Sequence, residues 1–173
     1  VAARSDVQGG FRGERSVDFA FGERLQFGSG ASRETVVVSR DISGGRALEV
    51  RRITITIGGI TVEAELKPTR TAAGIYEALP VEAALNQWGE ELYCKIPGVK
   101  DHRETATTSV KVGDVAFWGL GEMLAVFLGP TPMSIGEDPV PADRVNVVGR
   151  LLGDPGVLRQ VTSATTMKVE RKA

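Results

Sequence analysis

The sequence predicts a mainly β domain curled into a closed barrel, on three observations. Residues 53 to 66 alternate aliphatic and polar side chains on both sides of a glycine pair. Further short β-favouring segments recur between glycine and proline as far as residue 170, and only two short stretches carry helical signals. So many strands in one small domain create unpaired edges, which closure of the sheet removes.

The leading segment stands apart from this pattern. Val1 to Arg52 holds nine arginines, no lysine and seven acids, a charge of +2, against −3 over the remainder. Its scattered glycines and arginines keep no period of 2 or 3.6, so residues 1–52 read as a flexible N-terminal extension. Within it, Glu34 to Ser39 and Arg46 to Arg52 are strand candidates without clean alternation. The chain opens on Val rather than Met, the mark of a fragment, a processed product or a non-standard start. The folded domain is expected over residues 53–173.

From Ile53 the elements follow in order. Ile53, Ile55 and Ile57 alternate with Thr54 and Thr56; after Gly58-Gly59, Ile60, Val62, Ala64 and Leu66 alternate with Thr61, Glu63, Glu65 and Lys67. This is a hairpin with an aliphatic face and a solvated face. Thr71 is an N-cap candidate for a short helix over Ala72 to Leu79, with Ile75, Ala78 and Leu79 on one side and Pro80 ending it. Strand candidates follow at Glu82–Gln87, Glu91–Ile96, Ser109–Val112, Val115–Trp118, Met123–Leu128, Val145–Leu152 and Thr165–Glu170. A second short helix starts at Asp154-Pro155, where Asp caps and Pro suits the first helical position.

Composition narrows the function classes. Twenty-one basic against 22 acidic side chains leave a formal charge of −1, without the basic excess of a nucleic-acid or anionic-membrane binder. No apolar run approaches the ~18 residues that span a bilayer, and the N-terminus lacks the apolar core of a signal peptide. A single cysteine, Cys94, excludes an intrachain disulfide, and a single histidine, His102, excludes His-rich metal sites. The expectation is a cytoplasmic protein with no metal, cofactor, nucleic-acid or membrane partner.

Few motifs carry chemistry. The Gly28/Gly30 and Gly119/Gly121 pairs lack the third glycine of a dinucleotide fingerprint, and the second pair lies between strand candidates, as in a hairpin. Glu90 and Glu91 are adjacent carboxylates, but successive strand residues face opposite ways, so no acid/base dyad is expected. His102 lies in the charged string Lys100 to Glu104, the signature of a surface loop, and Cys94 on a strand reads as a small core hydrophobe. The aromatic side chains of Trp88, Tyr93, Trp118 and Phe127 either fill the barrel or line a groove for an apolar ligand.

Four segments in order resemble a small bacterial and archaeal cyclophilin-like family of unknown function: Asn86-Gln87-Trp88-Gly89-Glu90-Glu91-Leu92-Tyr93, Val112 to Trp118, Phe127 to Ser134, and Val145 to Arg150. The resemblance covers about residues 53–173 and implies a closed eight-stranded β-barrel with two short helices. Cyclophilins are peptidyl-prolyl isomerases that hold proline in an apolar pocket beside an arginine. That arginine weakens the amide resonance behind a barrier of ~18 to 20 kcal/mol. Phe127 resembles the phenylalanine flooring their pocket, and the run Asn146 to Arg150 resembles a cyclophilin run that carries histidine where Asn146 stands. The arginine of their catalytic strand is missing: the corresponding stretch reads Ala83-Ala84-Leu85-Asn86, and no arginine occurs between Arg70 and Arg103.

The expected function is therefore a binding module for a peptide or small apolar ligand, its groove lined by Trp88, Glu90, Tyr93, Trp118, Phe127 and Asn146. The alternative is a divergent prolyl isomerase using Arg144 or Asn146 in place of the missing guanidinium. Self-pairing into a homo-oligomer stays open.

Overall fold

The computed structural model describes residues 48–161 and 163–173. The expected extension therefore lies, as far as residue 47, outside the described residues. Strand β1 (Arg51–Ile57) and strand β2 (Ile60–Leu66) form the predicted hairpin, with Ile57 opposite Ile60 at its tip. Gly58 and Gly59 both take positive φ (57° and 83°), the pattern of the type I′ turn whose twist matches the flanking strands. Ile53, Ile55 and Ile57 are fully buried, each contributing about 1.5 to 3 kcal/mol of apolar transfer.

Helix α1 (Arg70–Ala78) starts two residues earlier than the spacing predicts, because Thr69 rather than Thr71 is its cap: Thr69 Oγ1 accepts from Ala72 N–H at 3.2 Å. Thr71 is fully buried and otherwise engaged, donating to Glu104 at 2.7 Å and accepting from the His102 N–H at 3.0 Å. Ile75, fully buried, anchors the helix on the core.

The chain continues through β3 (Val81–Ala84), β4 (Asn86–Trp88), β5 (Glu91–Lys95), β6 (Ala106–Thr107), β7 (Asp114–Trp118), β8 (Met123–Phe127) and β9 (Val145–Leu152). A 3-10 helix, Pro155–Gln160, and β10 (Thr166–Arg171) complete it. Asp154 and Pro155 start the 3-10 helix as expected, the Asp154 carboxylate accepting from Gly156 N–H at 2.8 Å. Residues 109–112 form no strand: Thr107 accepts from Ser109 N–H, and Asp114 accepts from Lys111 N–H, so side chains take the donors that a ladder would use.

All ten strands join one antiparallel sheet in the order β3-β10-β1-β2-β9-β7-β8-β5-β4, with β6 added to β9. The expected closed barrel of eight strands is not what these hydrogen bonds make. The two ends of the sheet, β3 and β4, are consecutive in the chain and linked through Leu85, and no ladder joins one to the other. The reason is that residues 81–88 divide their pairing: β3 bonds to β10, whereas β4 bonds to β5. The covalent chain bridges the seam of a curled sheet. Among the described residues, no helix is long and apolar enough to cross a membrane.

Two apolar cores result. The larger lies inside the curl, from Ile53 and Ile75 to Phe117, Leu124 and Met167. The smaller lies on the other face of β7, β8 and β9 and contains Val110, Ala116, Ala125, Phe127, Val145 and Val147. A bulge opposite Val115/Ala116 leaves Val148 of β9 without a partner on β7, so Val145 and Val147 serve the outer cluster while Val148 and Leu151 serve the inner core.

Candidate functional site

Alternation along the strands builds a site on the outer face. On β5, Leu92 and Cys94 enter the inner core while Glu91 and Tyr93 face out; on β8, Leu124 and Val126 enter it while Met123, Ala125 and Phe127 face out. β7 likewise sends Phe117 inward and Trp118 outward. All of these outward residues except Phe127 bound a cavity of about 330 Å³. Its walls carry the rings of Trp88, Tyr93 and Trp118, the sheet contributes Met123, Ala125 and Val145, and the segment entering β9 contributes Pro141, Ala142 and Asp143.

Two glycine contacts set the rings. Between β4 and β5 the two-residue turn Gly89-Glu90 has positive φ at Gly89 only (63°), the pattern of a II′ turn. That turn makes Trp88 and Glu91 a directly opposed cross-strand pair, so both reach the cavity. Past β7, the Trp118 ring lies over Gly121, where an added Cβ would fall 2.3 Å from Cζ3. Trp118 Nε1 donates to Asp143 Oδ2 at 3.2 Å, fixing the indole at the rim. The backbone N–H of Arg144, at 2.6 Å, and the Trp118 indole hold the Asp143 carboxyl below its ordinary range.

Glu91 is the chemically distinctive member. Burial pushes its carboxyl up to about 7, and among the described residues nothing forms a hydrogen bond or ion pair with that side chain. Among the described residues, no arginine, lysine or histidine lines the cavity.

Three of the six groove residues expected from sequence, Trp88, Tyr93 and Trp118, come together here. Glu90 faces away and accepts from Arg159 Nε at 2.8 Å, because alternation assigns the outer face to its neighbour. Phe127 is fully buried within the outer cluster, packed with Tyr93 and Trp118 rather than exposed to the cavity. Asn146 is 1% exposed: its amide donates to Asp101, and its Oδ1 accepts from Thr105 N–H at 3.2 Å. It therefore ties the 101–105 loop to β9. Arg144 is exposed and outside the lining.

Glu91 was legible in the Gly89-Glu90 turn, which pairs residue 88 with residue 91; Asp143, in an irregular segment, leaves no such signal. Cys94 is fully buried in the inner core, with its thiol pushed up to about 12 by burial. His102 lines a separate depression with Arg51, Arg70 and Glu77. The two do not form a nucleophile and base.

Comparison with known proteins places the fold. A family model described as cyclophilin-like matches residues 51–170. The chain belongs to the cyclophilin-like family. Its structure is similar to the solution structure of a hypothetical protein from Archaeoglobus fulgidus, with 31% identity and a TM-score of 0.62 over 75% of this chain and 99% of that one. No curated protein matches. In this cyclophilin-like chain the outer-face cavity lies wholly within the matched residues.

Proposed function

We propose that this protein is a binding module whose outer-face cavity accepts a small apolar ligand or an apolar side chain of a peptide. The observation that carries the reading is the cavity itself: about 330 Å³, walled by three aromatic side chains on rigid strands. Such a volume, mostly apolar with few polar groups, falls in the range of small-molecule sites. The isomerase alternative lacks a comparable support. Arg144 stays outside the lining and the Asn146 amide is occupied by Asp101 and Thr105, so neither offers a donor to a prolyl nitrogen in the cavity. A fold by itself does not fix a reaction.

The chain contains two tryptophans, Trp88 and Trp118, and both line the cavity, so intrinsic emission reports its occupancy. Titration with benzyl alcohol is expected to give a saturable emission change that Trp118→Ala abolishes. No saturable change with benzyl alcohol or its charged relatives overturns the reading.

A further inference from the structure

We infer that the cavity takes an organic ammonium ion, with its cationic head against Glu91 among the rings of Trp88, Tyr93 and Trp118 and its apolar body over Met123 and Ala125. This rests on the ligand-binding reading above and names the ligand's charge class.

Three observations converge on it. First, the rings come from three strands, β4, β5 and β7, and surround one space. Aromatic faces are electron-rich, and a group of them around one space favours a cation, alkylated ammonium above all, which loses little hydration on entry. Second, the two acidic residues of the lining are Glu91 and Asp143, and its remaining members carry no formal charge at neutral pH. Lys95, on the same face of β5 by alternation, is paired with Glu122 at 3.6 Å and does not line the cavity. Arg103 and Arg144 act on Asp143 from outside the lining, which leaves Glu91 as the charge that the space presents; it suits one positive charge and disfavours a carboxylate or phosphate ligand.

Third, the Glu91 side chain has no partner of its own among the described residues. Its sequence neighbour Glu90 is satisfied by Arg159, and Asp143 by the Trp118 indole and a backbone N–H. Burial raises the proton affinity of Glu91, and a cation beside it would offset that penalty by favouring the ionised form. A neutral apolar ligand would instead bury the carboxyl further without compensation. The charge of the lining and its aromatic content therefore select the same ligand class.

The test compares three probes of similar body on the full chain by tryptophan emission: benzyltrimethylammonium, benzyl alcohol and phenylacetate. The cation is expected to bind roughly tenfold or more tightly than the alcohol, and phenylacetate more weakly than either. Glu91→Gln should lower the cation-to-alcohol ratio severalfold, to the smaller preference that the rings alone supply. Glu90→Gln, the same charge change one residue away and outside the cavity, should leave that ratio as it is. Equal binding of cation and alcohol overturns the ammonium inference while the cavity reading stands. A cation preference undiminished in Glu91→Gln overturns the assignment to Glu91. Failure of all three probes removes both readings.

Discussion

Glu90 and Glu91 are consecutive residues that lie on opposite sides of the sheet: Glu90 pairs with Arg159 at 2.8 Å, while Glu91 enters the aromatic cavity with no cation beside it among the described residues. The II′ turn at Gly89-Glu90 causes the division, since it places Trp88 opposite Glu91 and leaves Glu90 as a turn residue whose side chain extends toward the 3-10 helix. Two identical side chains therefore have different chemistry. One sits in a half-exposed ion pair, and the other is a desolvated acid.

The desolvated acid imposes a pH dependence on stability. Glu91 has an ordinary value of 4.5 when unfolded and about 7 when folded, so between these limits the native state holds more protons than the unfolded one. Stability from this group is full below the lower value and is lost as pH rises through the upper one. Glu91→Gln should consequently be more stable than the parent at about pH 8, by about 1 to 2 kcal/mol once partial contact with water is allowed for. The difference should fade by about pH 4. Chemical denaturation of both proteins at the two pH values checks this, and a parent as stable as the variant at the higher pH contradicts it.

Cys94 should be inert in the folded protein. Its thiol is fully buried and pushed up to about 12, so neither access nor thiolate is present at neutral pH. An aromatic disulfide reagent is expected to label it at the rate of unfolding and stoichiometrically in denaturant. Prompt labelling under native conditions would contradict the placement.

Legibility in the sequence followed periodicity. The hairpin was readable from Ile53 onward because period-2 alternation coincides with a buried face, and the aliphatic run Val145–Leu152 gave β9 its expected bounds although a bulge breaks its alternation. Closure was not readable. Whether residues 81–88 pair with one neighbour or divide between β10 and β5 depends on contacts distant in sequence, and no local pattern records them. The site was half readable for the same reason. Trp88, Tyr93 and Trp118 announce themselves as aromatics on strands, whereas Asp143 reaches the cavity from an irregular segment. Phe127 and Asn146, which the family resemblance puts forward, are buried here by the outer cluster and by the 101–105 loop.

Asn146→Ala separates structure from binding. Removing the amide leaves the Thr105 N–H without its acceptor and takes one of two donors from Asp101, which should cost about 1 to 3 kcal/mol. The residue does not line the cavity, so the affinity of the folded variant for benzyl alcohol should stay within about twofold of the parent, a difference of under ~0.5 kcal/mol. Thermal denaturation and tryptophan emission measure the two effects on one sample. A large loss of binding with stability intact would return Asn146 to the site.

Gly89 and Gly59 provide a matched test of what shapes the cavity wall. Both have positive φ, 63° and 83°, so an alanine at either is strained by about 1 kcal/mol or more, and the first position of a II′ turn adds to the strain at Gly89. At Gly59 an added Cβ meets nothing within 4 Å. At Gly89 it would fall 2.8 Å from Pro130 O and 2.8 Å from Thr131 Cα, both backbone atoms, which cannot rotate away. The same stretch is tied to the turn by Glu90 N–H donating to Pro130 O at 2.8 Å, so relief requires moving either that segment or the β4-β5 hairpin. Gly89→Ala should therefore destabilise by at least ~1 kcal/mol more than Gly59→Ala in chemical denaturation. It should also shift native tryptophan emission, because Trp88 adjoins the turn and moves with it. Equal stability losses in the two variants would show that the Gly89 contact yields without cost, and the hairpin would then be no rigid support for the ring it carries.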